Sequence, residues 1–98
     1  MTETQFKCKM LTLIRKELPG AWVHHPAEKF VSGIPDLFIL YKSVFAAIEL
    51  KVGRNKPSAI QLVTLERLGQ AGAITGVCWT KEEVIRVVEK IRLKGGQQ

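Results

Sequence analysis

Gly33 to Lys51 limits the fold more than any other stretch of the chain. It holds two apolar runs, Leu37-Phe38-Ile39-Leu40 and Val44-Phe45-Ala46-Ala47-Ile48, separated by Tyr41-Lys42-Ser43. Aliphatic and aromatic runs bounded by Gly, Pro, Lys and Ser predict two strands joined by a tight turn. A turn centred between Lys42 and Ser43 pairs Tyr41 with Val44 and, counting outward, Asp36 with Glu49. Directly opposed side chains share a face, with Cβ atoms ~5 Å apart. Two opposed carboxylates repel, and each is costly in apolar surroundings. A divalent cation between them removes that cost. Lys51 lies two residues past Glu49 and so shares its face. All of this depends on the turn: an odd-length loop without a bulge would send Asp36 and Glu49 to opposite faces.

The flanks supply helices and further strands. Thr2 to Leu18 is predicted to be an amphipathic helix, capped by Thr2 with Gln5 as the second half of a capping box. Phe6, Met10, Leu13 and Ile14 form its apolar stripe, Lys7, Lys9, Arg15 and Lys16 lie mostly off it, and Pro19-Gly20 ends it. Glu3 continues the stripe at its N-terminal end, where it either complements the helix dipole or reaches a site at the core edge. Glu17 falls on the stripe at the other end and is expected to reach solvent. Ala21 to His25 is predicted to be a short strand. His24 and His25 face opposite sides of it, so they do not easily share one metal; each is either a surface residue or a phosphate contact. Beyond the hairpin, Val52 to Pro57 is a basic loop, and a helix begins at Ser58 with Leu62, Leu65 and Leu68 on one face and Gln61 beside it. Ala73 to Trp79 is predicted to be a strand. A last helix begins at Thr80, with Glu83 completing a capping box and Val84, Ile85, Val87, Val88 and Ile91 as its stripe. The order α-β-β-β-α-β-α gives an α/β fold, a small mixed sheet flanked by helices, with the last strand parallel to the second hairpin strand. Residues 1–94 are expected to form one domain, and 95–98 a frayed tail.

Composition narrows the function classes. The longest uninterrupted apolar run, Val44 to Ile48, is far short of the ~20 residues that span a bilayer, and the first residues lack the pattern of a signal peptide. Cys8 and Cys78 match no metal-ligand spacing and are expected to be reduced thiols with core roles in a cytoplasmic protein. A net charge of +6 favours a polyanionic partner. Part of that charge adjoins the carboxylates: Lys51, Arg54 and Lys56 follow them, and Lys29 precedes them.

Asp36 and Glu49, with the Leu50 carbonyl, are hard oxygen ligands of the kind that suit Mg²⁺ or Mn²⁺ better than zinc. With Lys51 to orient water or neutralise charge, and Lys29, Arg54 and Lys56 to hold a phosphodiester backbone, they suit metal-dependent hydrolysis of nucleic acid. The alternative is a non-catalytic basic nucleic-acid-binding module whose acidic pair is structural.

Pro35-Asp36, twelve intervening residues, then Glu49-Leu50-Lys51 match the PD-(D/E)xK nuclease motif, and the element order is similar to the core of that superfamily. Within it, Gly33-Ile34-Pro35-Asp36-Leu37, Ile48-Glu49-Leu50-Lys51 and Gln61 resemble the virus-type replication-repair nuclease (VRR-Nuc) domain of the stand-alone phage and bacterial kind. The resemblance covers nearly the whole chain. It implies a restriction-endonuclease-like core and a DNA endonuclease of bacterial or phage-infected cells. That enzyme would use Mg²⁺ or Mn²⁺ and act as a homodimer on branched DNA such as Holliday junctions, linear duplex DNA being the alternative substrate. Asp36 and Glu49 would bind the metal, Lys51 would assist catalysis, and Glu3 and Gln61 would support the site. The chain departs from the family before Gly33, where Val31-Ser32 replace a customary basic residue and Lys29 is the candidate substitute.

Overall fold

The hairpin turns where the pattern requires. In the computed structural model, which describes residues 1–26 and 32–96, Lys42 and Ser43 form the turn with φ of 47° and 69°. Positive φ at both central positions gives the turn the twist that two antiparallel strands need. β2 (Leu37–Tyr41) and β3 (Val44–Leu50) therefore pair from Tyr41↔Val44 outward to Leu37↔Ile48. β1 (Trp22–His24) adds antiparallel to β2, and β4 (Ile74–Cys78) adds parallel to β3. The result is a four-stranded mixed sheet in the order β1-β2-β3-β4.

The helices follow from their caps and stripes. α1 (Glu3–Glu17) starts at Thr2 with the expected capping box to Gln5. α2 (Ala59–Gln70) crosses from β3 to β4, and α3 (Lys81–Gly96) closes the chain. Phe6, Met10, Ile14 and Leu18 of the α1 region, and Val84, Val87, Val88 and Ile91 of α3, form one core with Leu37, Ile39, Val44, Ala46, Ile48 and Leu50. Alternation along β3 puts Phe45, Ala47 and Glu49 on the opposite face. No helix of the described residues is long and apolar enough to cross a membrane.

Several expectations need correction. Cys8 is exposed, because it falls on the solvent side of α1; Cys78 is buried, as expected. Leu62 is half exposed, since α2 meets the sheet along a narrow strip on which Leu65 is its one buried residue. Glu83 reaches back one residue further than a simple capping box, accepting from the Trp79 N–H at 3.1 Å and from the Thr80 hydroxyl at 3.1 Å. α3 does not fray at Gly95: it runs through Gly96, and Gly95 is buried against Tyr41 and Lys42, where the missing side chain permits the close approach. Glu17 is partly exposed but not simply solvated, for its carboxylate pairs with Arg92 at 3.0 Å. That contact ties the end of α1 to α3, at the opposite end of α1 from Glu3.

Candidate active site

The hairpin register, continued one residue beyond Leu37↔Ile48, sets Asp36 opposite Glu49. Two local features deliver Asp36 there. Gly33 has φ +84°, and a side chain at this position would collide with Ile60 and come within 2.9 Å of the Thr64 hydroxyl on α2. Only glycine combines that backbone angle with that approach. Pro35 is fully buried and leads into the strand. Continued once more, the register sets Leu50 opposite Pro35, which has no N–H. The proline therefore offers no donor to the Leu50 carbonyl, while the Leu50 N–H donates to Asp36 Oδ2 at 2.7 Å.

Glu49 is the one buried charged residue among those described, 1% exposed, and neither carboxylate oxygen has a hydrogen-bond donor. Its carboxyl group is in contact with that of Asp36. Two ionised carboxylates offer only acceptors, so the contact is a hydrogen bond only when one carries a proton. Burial above all, and then the neighbouring Asp36, push the Glu49 pKa up to about 8. Burial also acts to raise that of Asp36. The contact with Glu49, the Lys7 ammonium and the Leu50 N–H together outweigh it and hold Asp36 below its ordinary value.

The first two turns of α1 cross this end of the hairpin. Glu3 Oε1 lies 3.8 Å from Lys51 Nζ. Lys7, one turn further on, places its Nζ 2.9 Å from Asp36 Oδ1. Burial works against the Lys7 charge, but Asp36 outweighs it and raises the Lys7 pKa. Sequence reasoning missed Lys7 by treating lysine as the solvent side of an amphipathic helix. The signal was its i, i+4 spacing from Glu3, which puts both on one face.

The other described candidates are engaged elsewhere or exposed. Gln61 is occupied at the start of α2: its Oε1 accepts from the Ser58 N–H at 2.8 Å, and its own N–H donates to the Ser58 hydroxyl at 3.2 Å. Arg54 and Lys56 are exposed on the loop between β3 and α2. That loop is pinned by a feature no motif revealed, the Trp79 indole N–H donating to the Asn55 carbonyl at 2.7 Å. His24 is exposed and stacks on Trp22 with ring centroids 5.3 Å apart; His25 is exposed beyond the strand. Lys29 and the Val31 position lie outside the described residues.

The donors fit a hard divalent cation. Among the described residues no cluster of three or more His, Cys, Asp or Glu side chains is present. The oxygens on offer are therefore the orphaned pair of Glu49, those of Asp36 and the Leu50 carbonyl, a small set of the kind Mg²⁺ completes with water.

No family model matches the chain, and no curated protein matches it. A solved structure described as a VRR_NUC domain is similar, with a TM-score of 0.68 and 24% sequence identity over 84% of this chain and 92% of that one. The four-stranded mixed sheet, its three helices and their order thus make up the fold of a VRR_NUC domain.

Proposed function

We propose that the protein is a metal-dependent DNA endonuclease that hydrolyses phosphodiester bonds. The observation that carries this reading is Glu49, a buried carboxylate with both oxygens unpartnered, held against Asp36. A buried anion in that state is expensive unless something compensates it. A Mg²⁺ or Mn²⁺ ion held by Asp36, Glu49 and the Leu50 carbonyl would supply positive charge at the phosphoryl group and make water more acidic. Lys51, at the rim and partly exposed, orients the attacking water and neutralises charge that develops on the phosphate. Glu3 holds the Lys51 ammonium over the site through their 3.8 Å pair. Arg54, Lys56 and Lys29 bind flanking phosphates, and Gln61 fixes the start of its helix.

The substrate we infer is branched DNA such as a Holliday junction, cut by a homodimer that presents two such sites. The resemblance of Gly33-Ile34-Pro35-Asp36 and Glu49-Leu50-Lys51 to the VRR-Nuc signature supports this, as does the shared fold. The test is a cleavage panel of four-way junction, flap, splayed-arm and linear duplex, with and without Mn²⁺. Cutting is expected only with metal and most efficiently on the junction, and Asp36→Ala or Lys51→Ala is expected to lower it at least a hundredfold with the fold intact. Folded protein that cuts none of the panel would sink the reading and leave a basic binding module. Sedimentation at low micromolar concentration is expected to give twice the 11.0 kDa chain mass; a single species at the chain mass would remove the dimer.

A further inference from the structure

Lys7 and Lys51 both border the carboxylate pair but are placed differently. The Lys51 ammonium has Glu3 as its partner, 3.8 Å away, and Glu3 is not one of the opposed carboxylates. The Lys7 ammonium sits on one of them, 2.9 Å from Asp36 Oδ1. Asp36 thus has both oxygens engaged by protein donors, Oδ1 by Lys7 and Oδ2 by the Leu50 N–H, while both oxygens of Glu49 have none. The two donors differ in freedom. The Leu50 N–H is fixed in the backbone at the end of a largely buried strand. The Lys7 ammonium rides on a flexible four-carbon stem, and its side chain is 23% exposed. A divalent cation bonded to Asp36 Oδ1 at ~2.1 Å would lie within about 5 Å of that ammonium, at a cost that Lys7 can relieve by swinging outward.

We propose that Lys7 is an exchangeable cation of the site: it holds Asp36 while no divalent ion is bound, gives way when one enters, and then binds the phosphate of the substrate. This rests on the reading of Asp36 and Glu49 as metal ligands. α1 is built for such a part. Glu3 and Lys7 stand four residues apart on one face, and each reaches across to an opposite charge on the hairpin. Glu3 tethers Lys51, and Lys7 stands in for the cation at Asp36.

Mn²⁺ binding measured by calorimetry at pH 7.5 without DNA separates the outcomes. Lys7→Gln and Lys7→Met, checked for folding by circular dichroism, are expected to bind Mn²⁺ on the order of tenfold more tightly than the natural chain, and Lys7→Arg to restore the weaker binding. At saturating Mn²⁺, Lys7→Gln is expected to raise KM for DNA more than it lowers kcat. Natural-chain binding with equal or weaker affinity in Lys7→Gln and Lys7→Met overturns the exchange. An unchanged KM overturns the phosphate contact. Absence of Mn²⁺ binding in every variant, the natural chain included, removes the metal reading itself and the proposal with it.

Discussion

Glu49 is buried with both carboxylate oxygens unpartnered, which makes its charge costly. With its pKa raised to about 8, the folded chain binds a proton that the unfolded chain has already released. The sign follows from linkage: the stability tied to this proton is fully present below the ordinary carboxylate pKa and is lost as pH rises through about 8. Asp36 works the other way. Its lowered pKa gives stability present above the ordinary carboxylate range and lost as pH falls below it. Without metal, urea unfolding is therefore expected to show falling stability between pH 5 and 9. Glu49→Gln, which keeps the shape and removes the charge, is expected to flatten that slope and raise stability at pH 9 while abolishing cleavage. A Glu49→Gln chain with the natural slope would mean that some other group holds the proton.

Elements position these residues, and the hairpin turn sets the phase. Lys42 and Ser43 occupy positive-φ positions that favour Asn and Gly, so the turn carries backbone strain. The Lys42 ammonium recovers part of it by lying 5.2 Å from the centre of the Tyr41 ring. Ser43→Gly keeps that contact and relieves the second position. It is expected to stabilise the fold by about 1 kcal/mol, read as a higher urea midpoint with an unchanged m-value and an unchanged cleavage rate. The strain persists because a two-residue turn is what keeps Asp36 opposite Glu49. At the far end of the hairpin, Gly95 of α3 lets the helix lie against Tyr41 and Lys42. The last turn of the chain therefore supports the turn that sets the site, although from sequence a Gly-Gly pair near the end looks like a place to fray.

At the scale of the whole molecule, charge is what a polyanion meets first. The net charge is +6, and Arg54 and Lys56 are exposed on the loop that leaves the site. The Trp79–Asn55 bond holds that loop to the end of β4, so its cations are presented in a defined place. Replacing Arg54 and Lys56 together by Ala is expected to weaken DNA binding across sequences. It is also expected to reduce the slope of log K against log salt by about 1.8, about 0.9 for each phosphate that is no longer neutralised. An unchanged slope would show that these two residues do not touch the backbone.

The sequence by itself determined the elements, their order, the hairpin register and the identity of the opposed carboxylates. Those properties follow from short-range rules: alternation along strands, caps and breakers at helix ends, and counting outward from a two-residue turn. It also marked Glu3 as a candidate to reach the site, though on the helix pattern alone the helix dipole had the stronger claim on it. Tertiary structure alone decided which polar groups became partners across elements. Lys7 looked like the wet side of a helix until α1 was laid across the end of the hairpin, Glu17 found Arg92 on α3, and the Trp79 indole found the Asn55 carbonyl. Leu62 looked buried until α2 met the sheet along too narrow a strip to cover it. Periodicity says which way a side chain points from its own element. What stands opposite depends on how the elements are laid against one another, and that is settled by packing of the shared core.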